Sequence, residues 1–200
     1  LKLLVDNLDP TPAQTNTVEL LRSQIARCET SLRKLVSTAQ HSQLTSPSAV
    51  KAGEWLRSVA ASWRPMHPEI KTHVDIDQAA HTTINVDETL KQSIINLLDN
   101  AANASASTIS INLINTDKNS VAICIKDNGT GINGHVVRSQ GKKPVPKESS
   151  SAGLGVGIFL SNASINRLGG TLHLQNHLDS LGNIAGAEVI LKLPATPQHS

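Results

Sequence analysis

The spacing of apolar residues along the chain changes at about residue 45. From about residue 17 to residue 40 they alternate spacings of three and four, which is the a/d pattern of a helix that packs along one seam. The seam positions are Val18, Leu21, Ile25, Cys28, Leu32, Leu35 and Ala39. Residues 1–8 resemble the end of a preceding helix, stopped by the prolines Pro10 and Pro12. Together these segments predict an antiparallel helical hairpin, of the kind that pairs into a dimeric four-helix bundle.

A polar stretch at 41–48 predicts the boundary between a first domain, 1–45, and a second domain, 46–200. In the second domain, short alternating segments mix with helical ones. We predict helices at about 50–63, 90–104 and from 155 onwards, with Asp87 as the N-cap of the second. Strands are predicted at 70–76, 82–86, 108–114, 121–126, 171–175 and 187–193, with a hairpin turn at 117–120. This mixture predicts an α+β fold, a sheet with helices on one face.

Composition narrows the class of protein. Lys and Arg are spread along the chain and the formal net charge is only +2, whereas a nucleic-acid-binding surface needs clustered basic residues. Two cysteines do not make a disulfide framework, which fits a reducing compartment. No apolar run has membrane-spanning length and no signal peptide is visible. Because the chain begins at Leu1 in helix-like sequence, we expect it to be a piece of a longer protein.

The segment 90–104, LKQSIINLLDNAANA, carries an unusual row of asparagines. Helical spacing directs one apolar set towards a core: Ile94, Leu97, Leu98, Ala101 and Ala102. Asn96, Asn100 and Asn103 are left together on another face, at i, i+4 and i+7. Asparagine is a poor helix former, so propensity does not explain the row. Taken alone, the row is either a solvated polar face or a set of carboxamides that face a ligand.

Two glycine motifs follow the asparagine helix. In the first, a predicted strand leads into Asp127 and a turn that contains Gly129 and Gly131, where backbone can approach a ligand closely. The second, Gly153-Leu-Gly-Val-Gly157, opens a helix whose free N–H groups suit phosphate oxygens. The chain lacks the GxxxxGK[ST] sequence of a P-loop and the βαβ setting of a dinucleotide-binding fold.

The order of these motifs resembles the ATP-binding domain of sensor histidine kinases. In that family's terms, Asn96 to Ala101 is similar to the N box, Asp127 to Ile132 to the first glycine box, and Gly153 to Gly157 to the second. The polar stretch 133–152 is then the lid. The resemblance covers most of 49–194 and implies the α/β-sandwich fold of the GHKL superfamily.

The resemblance also implies roles for these residues, with ATP and Mg²⁺ as the bound species. The Asn100 carbonyl oxygen would ligate Mg²⁺, and Asn96 and Asn103 would contact phosphate or metal-bound water. Asp127 would accept a hydrogen bond from the adenine amino group. The remaining contacts would come from the two glycine motifs, at Gly129, Gly131, Ile132, Gly153, Leu154, Gly155, Val156 and Gly157.

The long seamed helix resembles the second dimerisation helix of redox-responsive kinases of the RegB/PrrB type, in which a cysteine at the place of Cys28 is a redox switch. This implies a homodimer through the helical hairpin, a phosphoacceptor histidine upstream of Leu1, and the receiver domain of a response regulator as partner. It also implies a cytoplasmic fragment of a parent protein in the bacterial inner membrane.

Three alternatives remain open. The first is an ATPase of the gyrase or chaperone kind. Such ATPases carry Glu four residues before the metal-binding Asn. This chain has Asn96 at that place, and an amide cannot act as a base near neutral pH. The second is a non-catalytic nucleotide-sensing module. Two departures from the kinase pattern favour it: Asn103 stands where many kinases have Lys, and the Phe-containing lid box is missing, because Phe159 is the sole Phe. A plain helical scaffold is the third.

Overall fold

The computed structural model describes residues 46–76, 81–117, 119–142 and 156–196. The predicted helical hairpin at 1–45, with Cys28, lies outside these residues, as do Gly153, Leu154 and Gly155. No helix within the described residues combines the length and the apolar character needed to cross a membrane.

Five strands form one mixed sheet in the order β2-β4-β5-β7-β6. Their bounds are β2 Lys71–Ile76, β4 Thr108–Asp117, β5 Ser120–Asp127, β6 Thr171–Leu178 and β7 Ile184–Pro194. The pair β2 and β4 is parallel, and the other neighbours are antiparallel. The predicted hairpin of β4 and β5 is confirmed, and both strands are longer than the alternation alone indicated.

In the part of the chain that the structure describes, four helices accompany the sheet: α1 Ala52–Trp63, α2 Glu88–Asn103, α3 Gly134–Ser139 and α4 Val156–Arg167. A 3₁₀ turn, Arg64–Met66, ends α1 at Pro65 as predicted. The predicted N-cap of α2 is also confirmed, because Asp87 Oδ1 accepts a hydrogen bond of 2.9 Å from the Leu90 N–H. Helices and sheet together form the predicted α+β fold.

The hydrophobic core lies between the helices and one face of the sheet. Alternate residues of β4 and β5 point to it and are fully or almost fully buried: Ile109, Ile111, Leu113, Ile123 and Ile125. From the other side α2 contributes Ile94, Leu97 and Leu98. Burying one such side chain stabilises the fold by roughly 1.5–3 kcal/mol, so this layer fixes α2 on the sheet.

The prediction for the start of the second domain was partly wrong. Val50, assigned to a helix by its spacing, lies in a short strand, β1 Ser48–Lys51, and α1 begins after it. β1 pairs antiparallel with β3, Thr83–Val86, and forms a separate two-stranded sheet. A strand of this length is stabilised by its partner, which local spacing does not reveal.

α2 and α4 pack antiparallel and are tied together at one end. The Arg167 guanidinium, near the end of α4, pairs with the buried Asp87 carboxylate that caps α2 and also donates to Thr89 Oγ1 at 2.8 Å. Further along, Ser161 Oγ donates to the Ser93 carbonyl oxygen at 3.4 Å. Burial raises the pKa of Asp87, but hydrogen bonds from Thr89, the Leu90 N–H and Arg167 outweigh it and leave the pKa below its ordinary value.

Candidate functional site

The asparagine row lies on α2 opposite its buried face. Asn100 and Asn103 are exposed and Asn96 is half-buried. The Gln92 side-chain amide donates a hydrogen bond of 3.2 Å to Asn96 Oδ1. Asn96 Oδ1 therefore already accepts one hydrogen bond, while its NH₂ group donates to none of the described residues and can donate to a ligand.

Asp127 ends β5 as a buried residue, with 7% of its surface exposed. Its Oδ1 accepts two backbone hydrogen bonds, from Gly129 N–H at 2.8 Å and from Ala187 N–H at 3.2 Å. Its Oδ2 accepts no hydrogen bond from any residue that the structure describes. Among the described residues, the buried side-chain oxygen without a partner is Thr196 Oγ1, so Asp127 Oδ2 is not sealed from solvent. It is therefore an accessible acceptor for a donor that a ligand supplies.

The glycine turn, defined here as residues 127–132, packs between the end of α2 and β7. Thr130 N–H donates to the Ala104 carbonyl oxygen at 2.9 Å. A Cβ on Gly129 would lie 2.5 Å from that same oxygen, so only glycine fits there. Gly131 has φ +81°, and a Cβ on it would lie 2.5 Å from Ile184 Cγ2. The two glycines thus allow the turn to lie against α2, which brings Asp127 and the asparagine row to the same side of the sheet.

Of the second glycine motif, the described residues are Val156 and Gly157, which begin α4. A Cβ on Gly157 would lie 3.7 Å from Asn100 Nδ2 and 3.9 Å from Asn100 Oδ1. The start of α4, with its free N–H groups and positive dipole, therefore lies next to an exposed side-chain amide at the end of α2.

Residues that local patterns did not single out also build the site. Asn128 Oδ1 accepts from both the Ser107 and Thr108 N–H groups at 2.9 Å and so fixes the connection between α2 and β4. Asn176 and His177, near the end of β6, hydrogen-bond to the glycine turn. In sequence, an Asn-His pair at a strand end carries no periodic or motif signal, and only the fold shows these contacts.

Asp99, the residue before Asn100, has its carboxylate engaged elsewhere. Asp99 Oδ1 accepts a hydrogen bond of 2.9 Å from the indole N–H of buried Trp63 and lies 3.5 Å from His67 Nε2. The His67 ring stacks on Trp63 with 4.3 Å between centroids. Asp99 therefore stabilises the contact between α1 and α2, and the row itself presents amides.

The asparagine row could bind a hard divalent cation only together with a ligand that supplies further oxygen atoms. Within the described ranges, no group of three or more His, Cys, Asp or Glu side chains is arranged to hold a metal. An exposed carbonyl oxygen such as that of Asn100 is a suitable Mg²⁺ ligand, and Mg²⁺ in proteins commonly completes its shell with water and substrate phosphates. The chemistry of the donor set therefore fits Mg²⁺ that arrives with a nucleotide.

The described part of the predicted lid, 133–142, contains a helix that the sequence pattern did not predict. Asn133 Oδ1 caps α3 by accepting from the His135 N–H at 2.8 Å. At its other end, the Gln140 amide accepts from the Leu174 N–H at 2.7 Å and donates to the Leu174 carbonyl oxygen at 2.9 Å. The segment is thereby fastened to the outer edge of β6 before residues 143–155, which lie outside the described ranges.

Comparison with known proteins gives a consistent family and fold. Residues 85–197 match the family of histidine kinase-, DNA gyrase B-, and HSP90-like ATPases. The mycobacterial sensor histidine kinase MprB is 21% identical, with a TM-score of 0.62 over 76% of this chain and 100% of that one. The ATP-binding domain of PrrB from Mycobacterium tuberculosis is 20% identical, with a TM-score of 0.58 over 76% and 100%.

A longer similarity is to histidine kinase ThkA in its complex with the response regulator protein TrrA, at 17% identity and a TM-score of 0.67. It covers 99% of this chain and 56% of that one. A search of curated proteins found no match. At these identities the solved structures show a shared fold.

Proposed function

The chain belongs to the family of histidine kinase-, DNA gyrase B-, and HSP90-like ATPases, and we propose that it is the catalytic region of a two-component sensor histidine kinase. In this proposal it binds ATP with Mg²⁺ and transfers the γ-phosphoryl group to a histidine upstream of Leu1. A response-regulator aspartate receives the group from that histidine.

The observation that carries the proposal is the hydrogen-bonding state of Asp127. Two backbone N–H groups donate to Oδ1, whereas Oδ2 has no donor among the described residues and stays open to a ligand on a residue that is 7% exposed. The amino group of adenine is a donor that suits this oxygen, whereas guanine carries a carbonyl oxygen at the equivalent position. Asp127 therefore selects adenine nucleotides, and Gly129 and Gly131 give the ring room beside the backbone.

The phosphates fit the junction of α2 and α4, where Gly157 approaches the Asn100 amide. The N–H groups of Val156 and Gly157 at the start of α4, together with those of Gly153, Leu154 and Gly155 before them in the sequence, would donate to phosphate oxygens. Asn100 would ligate Mg²⁺, which neutralises phosphate charge when bound, and Asn96 and Asn103 would contact phosphate or metal-bound water. Phosphoryl transfer needs positioning and charge neutralisation more than covalent participation, and amides supply both.

Kinase activity is favoured over steady-state ATP hydrolysis because the asparagine row, which lies wholly within the described residues, has no side chain that can act as a general base. Asn96 occupies the place of the water-activating Glu in related ATPases and cannot accept a proton near neutral pH. The nearby carboxylate of Asp99 is hydrogen-bonded to Trp63. ATP is therefore retained for transfer to histidine. A response regulator as the second acceptor agrees with the ThkA–TrrA complex among the similar structures.

A second candidate is a nucleotide-sensing module without kinase activity. Asn103 stands where many kinases have Lys, and the Phe-containing lid box is missing from the sequence. The same Asp127 and Asn100 contacts would then bind ATP without transfer.

One experiment separates these functions. The chain, extended upstream to include the preceding helix, is incubated with γ-labelled ATP and Mg²⁺. Acid-labile label on a histidine identifies a kinase, and its absence despite ATP binding identifies a sensing module. Rapid steady-state release of phosphate by the chain would contradict both and identify an ATPase.

We further propose that the parent protein is a homodimer of the RegB/PrrB type, anchored in the bacterial inner membrane, in which oxidation of Cys28 lowers activity. The proposal rests on the seam position of Cys28 in the sequence, because two seam cysteines near a dimer axis can be cross-linked. The full-length protein and its Cys28→Ala variant are compared for autophosphorylation with and without oxidant. Equal inhibition of both proteins would contradict this role.

A further inference from the structure

Two consecutive residues of β6, Asn176 and His177, hydrogen-bond to both ends of the glycine turn. Asn176 contacts Ile132, the last residue of the turn, and His177 contacts Asp127, the first. Both side chains are half-buried. The turn is therefore held from one strand at two points, and the proposed adenine acceptor is one of them.

The Asn176 amide makes a reciprocal pair of hydrogen bonds with the backbone of Ile132. Its Oδ1 accepts from the Ile132 N–H at 2.7 Å, and its Nδ2 donates to the Ile132 carbonyl oxygen at 2.8 Å. A carboxamide that bonds both polar groups of one residue fixes its peptide planes as a neighbouring β-strand would. This matters next to Gly131, a glycine with φ +81° whose own backbone is only weakly restrained.

The second contact restrains Asp127 itself. His177 Nε2 lies 2.7 Å from the Asp127 carbonyl oxygen, which can only accept, so the ring nitrogen is the donor. Gly186 leaves space for this bond: it has φ +139°, and a Cβ there would overlap the Asp127 carbonyl oxygen and lie 2.6 Å from His177 Nε2. The adjacent Ala187 N–H donates to Asp127 Oδ1. Backbone and side chain of Asp127 are thus oriented by the ends of β6 and β7.

We propose that Asn176 and His177 are positioning residues for base recognition, which hold the glycine turn so that Asp127 Oδ2 meets the adenine amino group. The inference rests on the proposed binding of ATP. Hydrogen bonds weaken steeply with angle, so a turn released from β6 presents the same carboxylate in a broader range of orientations. Discrimination between adenine and guanine then falls, because it depends on where the single acceptor lies.

The test compares the 200-residue chain with Asn176→Ala, Asn176→Asp and His177→Ala variants by calorimetric titration with ATP·Mg²⁺ and, separately, GTP·Mg²⁺. We expect Asn176→Ala to weaken ATP binding about tenfold, the effect of misplacing one hydrogen bond, with a smaller change for GTP, so that the ratio of the two affinities falls. Asn176→Asp can accept from Ile132 N–H but cannot donate to its carbonyl oxygen, so its ratio should lie between wild type and alanine. His177→Ala should also lower the ratio.

Gln175→Ala is the matched control. Gln175 is the neighbouring exposed residue on β6, and its amide bonds Glu188 on β7 outside the turn. Its removal costs a side-chain hydrogen bond without touching the turn, so the ATP-to-GTP ratio should stay at the wild-type value. Thermal unfolding of each variant identifies any that does not fold. If Asn176→Ala does not fold, the ratio of ATP to GTP affinity in Asn176→Asp decides.

The possible failures are distinct. If the wild-type chain does not bind ATP, the proposed function is wrong and this inference falls with it. If the wild type binds ATP and prefers it to GTP, but folded Asn176 and His177 variants keep that preference, the inference alone is wrong. If Gln175→Ala lowers the ratio as much as Asn176→Ala, the effect is a general loss of strand packing and the positioning role is again wrong.

Discussion

Gly157 in α4 lies against the side-chain amide of Asn100 in α2, so that a Cβ at position 157 would stand 3.7 Å from Asn100 Nδ2. The two residues come from separate sequence motifs and meet because α2 and α4 pack antiparallel. Arg167 and Asp87 fasten the opposite end of this helix pair. The space in front of Asn100 is therefore bounded by a helix start, an arrangement that suits the proposed binding of phosphate and Mg²⁺.

Gly157→Ala is expected to change stability and ATP binding in opposite directions. Alanine in place of glycine favours a helix by roughly 0.5–1 kcal/mol, and the added Cβ makes only ordinary contacts in the protein. The same methyl group faces the Asn100 amide, where it reduces the room for a phosphate. The midpoint temperature of thermal unfolding should rise by a few degrees, and the affinity for ATP·Mg²⁺ measured by calorimetry should fall. An unchanged affinity would show that the phosphates do not lie at this junction.

Asn100→Ala should abolish the Mg²⁺ dependence of ATP binding without weakening the fold. The side chain is exposed, and alanine is the better helix former by roughly 0.5 kcal/mol. ATP affinity is measured with Mg²⁺ and with EDTA, and the two values should converge in the variant. Asn166→Ala, an exposed helical asparagine on α4, serves as the control and should keep the wild-type difference.

Gly131 and Gly182 offer a matched pair for the role of the glycine turn. Both have positive φ, +81° and +84°, but a Cβ would strike Ile184 at the first and meet nothing within 4 Å at the second. Each alanine variant loses roughly 1 kcal/mol to the left-handed conformation. Only Gly131→Ala should lose further stability and ATP affinity, as measured by denaturant unfolding and titration. Equal effects at both positions would exclude a close approach at Gly131.

Asp87→Asn should lower stability at neutral pH by about 1–2 kcal/mol, since it keeps a capping side chain but loses the charge that pairs with partly exposed Arg167. The pKa of Asp87 in the folded protein lies below its ordinary value of 3.8. Its stabilisation is therefore fully present above pH 3.8 and is lost as the pH falls through the lower, folded-state pKa. Urea unfolding should show the difference between wild type and variant shrinking below pH 3.8. A constant difference down to acid pH would mean that the carboxylate charge contributes nothing.

Features that depend on neighbouring residues in the chain were predictable from sequence. The two faces of α2, its Asp87 cap and the alternating strands β4 and β5 follow from periodicity and capping. The assignment of the fold class succeeded for the same reason, because long amphipathic elements dominate the core. The short helix α3 was missed because it depends on one Asn133 cap and on packing against β6.

Features that depend on distant residues were not predictable. The strand β1 exists through its pairing with β3, and Val50 alone reads equally well as a helix position. Asn176 reaches Ile132 across 44 residues of chain, and no local pattern distinguishes it from its exposed neighbour Gln175. The free oxygen of Asp127 was also invisible in sequence, since one of the two donors to its other oxygen comes from Ala187 on β7.

The most direct test of the account is a calorimetric titration of the 200-residue chain and its Asp127→Asn variant with ATP·Mg²⁺ and GTP·Mg²⁺. Asn at 127 replaces one carboxylate oxygen by a donor, and loss of a charged hydrogen bond is worth about 1.5–3 kcal/mol, or roughly ten- to a hundredfold in affinity. Asp75→Asn, an exposed carboxylate on β2, is the control. We predict one ATP per chain, a clear preference over GTP, and loss of both affinity and preference in Asp127→Asn alone. Equal binding of ATP and GTP by the wild type, or an Asp127→Asn variant that binds ATP as tightly, would contradict the assignment of this site.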